Sequence, residues 1–135
     1  MMLMALIVID EFLYALDDFA GDALFGMQQY APKSVMSLGG KFAYPDDACE
    51  TPDTQQAIYE FDDFTVLWDH GIGIDGGYYG RSHGVGFVGN EGTLVVDRGG
   101  WEVIPEPKGG NPSLDKVDLR KGDGKGLHNH MVNFM

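Results

Sequence analysis

From Ser34 to Glu106 the chain is a succession of short runs rich in β-branched and aromatic residues, separated by glycine, proline, aspartate and asparagine. That punctuation constrains the fold most, because it leaves room for strands and tight turns but not for long helices. SVMSLGGKF is expected to be a first strand, whose Gly39-Gly40 pair permits a bulge or a close backbone approach. YPDDACETPDT is a loop, punctuated by Pro45 and Pro52 and rich in turn-forming Asp and Thr. TQQAIYEF and FTVLWDH flank Asp62-Asp63 at the spacing of a tight hairpin, although Asp-Asp is a poorer turn than Asp-Gly. Alternation puts Ala57, Tyr59 and Phe61 on one face and Gln56, Ile58 and Glu60 on the other. A second hairpin is expected where GVGFVG and TLVVDRG surround Asn90-Glu91-Gly92, with Gly92 supplying the positive φ of a short turn. WEVIPE is a further short strand, closed by Pro105 and Pro107.

The two ends have a different pattern. MMLMALIVI is apolar but has no basic flank or small-residue cleavage site and meets Asp10 and Glu11 at once, which fits neither a signal peptide nor a membrane span. Apolar residues continue at Phe12, Leu13, Leu16, Phe19 and Ala20 with acids between them, so an amphipathic helix is expected over residues 1–22, interrupted at Gly21. DALFGMQQY is expected to add a turn before Pro32, and the closing LHNHMVNFM to begin another helix. PKGGNPSLDKVDLRKGDGKG has little apolar content and is expected to be an exposed excursion. The fold class these patterns imply is α+β, with five or six strands in a largely antiparallel open sheet covered on one face by helices. At 135 residues the chain is one domain, and both ends look cut.

Charge narrows the partners. A net charge of −12 repels the phosphates of nucleic acid and anionic membrane, so neither is an expected partner. One cysteine, Cys49, excludes an intramolecular disulfide and a four-cysteine zinc site. Its acidic setting, DDACET, is expected to raise its pKa and disfavour a nucleophilic role.

Two stretches match the G-x-G-x-x-G spacing of dinucleotide loops: Gly71, Gly73 and Gly76, then Gly84, Gly86 and Gly89. A phosphate loop must open a helix, and GIDGGYYGRSHGVG has no helical periodicity, so these glycines are expected to shape a loop between strands. Among the histidines, His128 and His130 could pair as ligands on a strand but diverge on a helix, and no carboxylate cluster accompanies them, so no metal site is expected. YYGRSHG is the more informative stretch. It sets Tyr79, Arg81 and His83 at alternate positions on a glycine-flanked loop, a phenol, a guanidinium and an imidazole able to bind a polyol or carboxylate by directed hydrogen bonds. His70, at the end of FTVLWDH, joins them as a candidate, and its alternative is a packed, hydrogen-bonded histidine. The alternative for Arg81 is a pairing with one of the abundant acids.

Three long segments, GGKFAYPDDACETPDTQQA, GFVGNEGTLVVDRGGWEVIPE and LHNHMVNF, resemble the C-terminal domain of bacterial Gfo/Idh/MocA oxidoreductases, the glucose-fructose oxidoreductase and inositol dehydrogenase family. The likeness extends over residues 23–135, leaving 1–22 as a segment of doubtful match. Such a resemblance implies a second domain that shapes the substrate pocket and often an oligomer interface, beside a Rossmann domain holding NAD or NADP. The chain has neither that domain, nor the family's Glu-Lys-Pro motif, nor its Gly-x-His-x-x-Asp histidine, and no histidine precedes His70.

The expectation is therefore a partial NAD(P)-dependent oxidoreductase. It contributes no catalytic residue and binds no cofactor itself, but supplies Tyr79, Arg81, His83 and His70 to a sugar or cyclitol and forms a homo-oligomer through its sheet face. A cytoplasmic location is the expectation, with export of the full-length protein as the alternative. Two other readings fit the same residues: a noncatalytic self-associating module, and a piece of an NAD-dependent glycoside hydrolase of the same family.

Overall fold

The computed structural model describes residues 2–9 and 31–125, together with His128, Met131 and Val132. Its strands are β1 (Met2–Ile9), β2 (Ser34–Gly40), β3 (Thr54–Glu60), β4 (Phe64–Gly71), β5 (His83–Val88), β6 (Gly92–Asp97), β7 (Gly100–Pro105) and β8 (Val117–Lys121). They form one eight-stranded sheet in the order β2-β3-β4-β1-β5-β6-β7-β8. β1 joins two antiparallel halves, lying antiparallel to β4 and parallel to β5.

This architecture corrects the α+β expectation. Helical conformation among the described residues is confined to the short turns Tyr78–Gly80 and Lys108–Gly110 and to His128, Met131 and Val132, so no described helix layer covers a face. The helix expected over residues 1–22 is a strand where it is described. MLMALIVI is apolar at every position and β-branched at Ile7, Val8 and Ile9, the composition of a central strand with neighbours on both sides. The amphipathic pattern from Phe12 to Ala20, and DALFGMQQY, lie outside the described residues. The excursion after Pro107 is exposed as expected, but it carries a strand, because Val117–Lys121 pairs with β7 as the last strand. The count is eight strands rather than five or six.

Most of the core lies along one register row running across the sheet, with Val95, the most deeply buried of the described side chains, on the neighbouring position of β6. Val35, Tyr59, Val66, Ile7, Phe87, Leu94, Val103 and Val117 are successive cross-strand partners. Burial is deepest in its middle: Val66, Phe87, Leu94 and Val103 pack together, with Tyr59, Phe64, Val85, Val96 and Leu114 against them. Each such side chain removed from water contributes on the order of 1.5–3 kcal/mol. The row's far end, Val35 on β2, is 53% exposed.

Local chemistry sets the turns. The Phe61 amide donates to the Phe64 carbonyl at 3.0 Å across Asp62-Asp63, and the two phenyl rings stack with centroids 4.4 Å apart, supporting the hairpin that Asp-Asp alone favours weakly. At the second hairpin the Gly89 amide donates to the Gly92 carbonyl at 2.9 Å. The expected positive φ at Gly92 is absent; glycine is needed there because a Cβ would stand 2.8 Å from the Ile104 carbonyl oxygen of β7. Gly39 meets a similar close approach, with its Cβ position 2.7 Å from the Thr54 carbonyl oxygen.

Candidate functional site

The glycine-rich segment after β4 leads into a single 3-10 turn, Tyr78–Gly80, and then directly into β5. Gly73 has φ 88°, so the stretch bends as a loop and opens no α-helix. Tyr79 sits in the left-handed region at φ 59°, ψ 24° and is exposed. An aromatic residue there is strained by roughly 1–3 kcal/mol, a conformation of the kind that clusters at binding sites. Tyr78, its neighbour, turns the other way and donates its hydroxyl to Asp69 Oδ2 at 2.9 Å, with Gln56 Nε2 donating to the same oxygen at 3.2 Å. Asp69 is buried on β4. The hydrogen bond to Asp69, then burial and the carboxylate's charge, raise the Tyr78 pKa.

Arg81 leaves this turn and reaches from the end of β6 to the middle of β7. Its Nη1 donates to Asp97 Oδ2 at 2.5 Å and its Nη2 to Glu102 Oε1 at 2.6 Å, with the Arg81 side chain only 10% exposed. The bond to Glu102 is the main cause raising its pKa. Asp97 uses its other oxygen on the β6–β7 turn, where Oδ1 accepts from the Gly99 and Gly100 amides at 2.6 and 3.0 Å. Burial acts to raise the Asp97 pKa, but the Arg81 bond and charge and these amides outweigh it, and the net shift is downward. The guanidinium is thus a fixed part of the fold, the pairing that was the alternative to ligand binding. One of its donors, Arg81 Nε, is buried without a partner among the described residues.

His83 opens β5. Ser82 Oγ lies 3.1 Å from His83 Nδ1, and His83 Nε2 is buried without a partner among the described residues. His70 on β4 is the cross-strand partner of Leu3, and Leu3 on its other side partners His83. The two histidines therefore share one row, separated by β1, roughly 10 Å apart across two strand spacings. Of the four candidates, the structure puts His70 and His83 in one register row, gives Arg81 to Asp97 and Glu102, and leaves Tyr79 exposed on the turn before β5.

Sequence reasoning missed Asp69, Tyr78 and Gln56. An aspartate inside FTVLWDHG was the available signal, since a buried carboxylate demands hydrogen-bond donors. It also missed Asp53, buried before β3, whose carboxylate accepts from the Phe42, Ala43 and Tyr44 amides at 2.9, 3.1 and 2.8 Å and from Thr54 Oγ1 at 2.9 Å. Burial acts to raise its pKa, but these donors win and hold it at about 2.

Cys49 differs from expectation. Its pKa is lowered, because the Thr51 hydroxyl 3.0 Å from its Sγ and the Thr51 backbone stabilise the thiolate more than desolvation and the Asp47 carboxylate oppose it. His128 is exposed and helical, while His130 lies outside the described residues. No group of three or more His, Cys, Asp or Glu able to hold a metal is found among the described residues. No helix among them is long and apolar enough to cross a membrane. No family model, curated protein or solved structure matches the chain, so the resemblance above stands on its quoted residues alone.

Proposed function

We propose that this sheet is the substrate wall of a Gfo/Idh/MocA-type oxidoreductase, binding a sugar or cyclitol beside β5 while NAD or NADP is held elsewhere in a complete enzyme. The observation that supports it is that Arg81 Nε and His83 Nε2, two residues apart in the chain, are both buried without a partner among the described residues, while the other guanidinium nitrogens are held by Asp97 and Glu102. Buried polar groups are rarely left unmatched, and an open donor is a place for a ligand oxygen. Polyol hydroxyls both donate and accept, so they suit a site of mixed donors and carboxylates. Tyr79, exposed on the turn two residues before Arg81, offers an aromatic ring on the same stretch. In this role the chain binds and orients; hydride transfer belongs to groups it does not contain.

The test is a titration of the 15N-labelled chain with myo-inositol, glucose and fructose, followed by amide chemical shifts. Shifts concentrated at Tyr79, Ser82 and His83, and lost in His83→Ala, support the reading. A panel of sugars and cyclitols that leaves these amides unmoved up to the solubility of each compound overturns it.

A further inference from the structure

The sheet ends on β2, and its two edges are not alike. β8, the last strand at the other side, carries Asp118, Arg120 and Lys121 and a register shift where it meets β7 between Trp101 and Val103. Charged side chains and irregularities of this kind are how sheets block pairing with a further strand. β2 has none of them. Ser34–Gly40 contains no charged residue and no proline, pairs with β3 without a register shift at seven successive positions, and among the described residues has no strand on its outer side.

Its side chains are as open as its backbone. Val35 is 53% exposed, Met36 60% and Leu38 73%, and Ile58, the partner of Met36 on β3, is 43% exposed. Unpaired amides and carbonyls on such a strand are a template for one more strand, and flanking apolar side chains supply the burial that a lone backbone ladder lacks.

We propose that β2 is the dimer seam of this protein, pairing antiparallel with β2 of a second copy about a two-fold axis at Ser37. A two-fold interface must complement itself, and this strand does. With Ser37 opposite Ser37, Met36 lies opposite Leu38 of the second copy and Leu38 opposite its Met36, while Val35 meets the small Gly39. Two apolar cross-strand pairs thus form on one face, next to Ile58 of each chain, and the sheet continues from eight strands to sixteen. The nearest lysines, Lys33 and Lys41, fall at the rim and not within the strand; Lys33 is ion-paired to Asp62 and Lys41 donates to the Asp47 carbonyl. Each copy carries a net charge of −12, so repulsion outside the seam opposes the dimer and added salt strengthens it. The seam narrows the expected homo-oligomer from a sheet face to a sheet edge, and it does not depend on polyol binding.

The experiment is sedimentation of the wild type, Met36→Glu, Leu38→Lys and an equimolar mixture of the two variants, with circular dichroism confirming the fold of each. Both substituted side chains are exposed, so the fold should tolerate them. The expected result is a wild type of twice the single-chain mass, two variants of single-chain mass, and a mixture that regains the doubled mass because the carboxylate introduced in one chain then faces the ammonium introduced in the other. A wild type that stays at single-chain mass at high concentration and salt overturns the proposal. So does a dimer that survives both substitutions, or a mixture that remains dissociated.

Discussion

Arg81 and Asp97 are joined at 2.5 Å through Nη1 and Oδ2, and this ion pair ties the turn that precedes β5 to the turn that ends β6. Because Glu102 within β7 takes Nη2, a single side chain ties the start of β5 to both β6 and β7.

Removing the guanidinium leaves two carboxylates facing a nearly dry gap. Arg81→Ala is expected to destabilise the chain by about 2–4 kcal/mol, within the range for breaking a mostly buried, hydrogen-bonded ion pair. Arg81→Lys keeps the charge but lacks the planar fork needed to reach both acids, so it is expected to recover only part of the loss. Urea denaturation of the three proteins orders them, and an alanine variant as stable as wild type would remove the pair from any structural role.

Asp53 makes stability depend on acid. Its carboxyl is held at about 2 in the folded chain against an ordinary 3.8, so the folded state favours the ionised form. The contribution is complete above the ordinary value and is lost as pH falls through the folded one, because protonation then removes the acceptor that gathers the Phe42, Ala43 and Tyr44 amides. Thermal melts of wild type are expected to fall steeply over that window, and those of Asp53→Asn to start lower at neutral pH and fall less. Parallel pH profiles for the two proteins would refute the assignment.

The register row implies a gradient of sensitivity. Phe87, 5% exposed at its middle, is expected to cost about 3–5 kcal/mol when replaced by alanine, from lost burial and the cavity left behind. Val35 occupies the same row at the open edge, and Val35→Ala is expected to change monomer stability by less than about 0.5 kcal/mol. Denaturant midpoints at low protein concentration compare the two directly.

What was legible in the sequence was local. The β3–β4 and β5–β6 hairpins follow from alternation and from the turn residues between them, all within a few positions of one another. β1 was not legible, because MLMALIVI is apolar throughout and has no period to separate helix from strand. Only its placement between β4 and β5, both distant in the chain, makes it a strand. β8 alternates Val117 and Leu119 with Asp118 and Arg120, but the signal was lost in a polar, glycine-rich surround. In the candidate site, the even spacing of Tyr79, Arg81 and His83 hid how differently the three side chains are held. The left-handed turn at Tyr79 sends that ring outward and gives Tyr78 to Asp69, while the partners of Arg81 lie 16 and 21 positions away.

Gly84 separates the candidate site from the strand that carries it. Its φ of 147° falls where L side chains are strained, and a Cβ there would stand 2.5 Å from the Val96 carbonyl oxygen and 3.2 Å from Asp97 Cβ. Both effects act in one direction, since the backbone must rotate and β6 must move away. Gly84→Ala is therefore expected to destabilise the chain by about 2–4 kcal/mol and to disturb the Arg81–Asp97 pair with it. Gly76, in the loop after β4, is the control: a Cβ there meets nothing within 4 Å, and Gly76→Ala is expected to be neutral or to stabilise by up to about 1 kcal/mol through a less flexible unfolded chain. Urea midpoints measure the stability difference, and amide shifts at Gly99 and Gly100 report whether Asp97 has moved. If Gly84→Ala melts with wild type while those amides stay in place, β5 does not approach β6 as closely as the register requires.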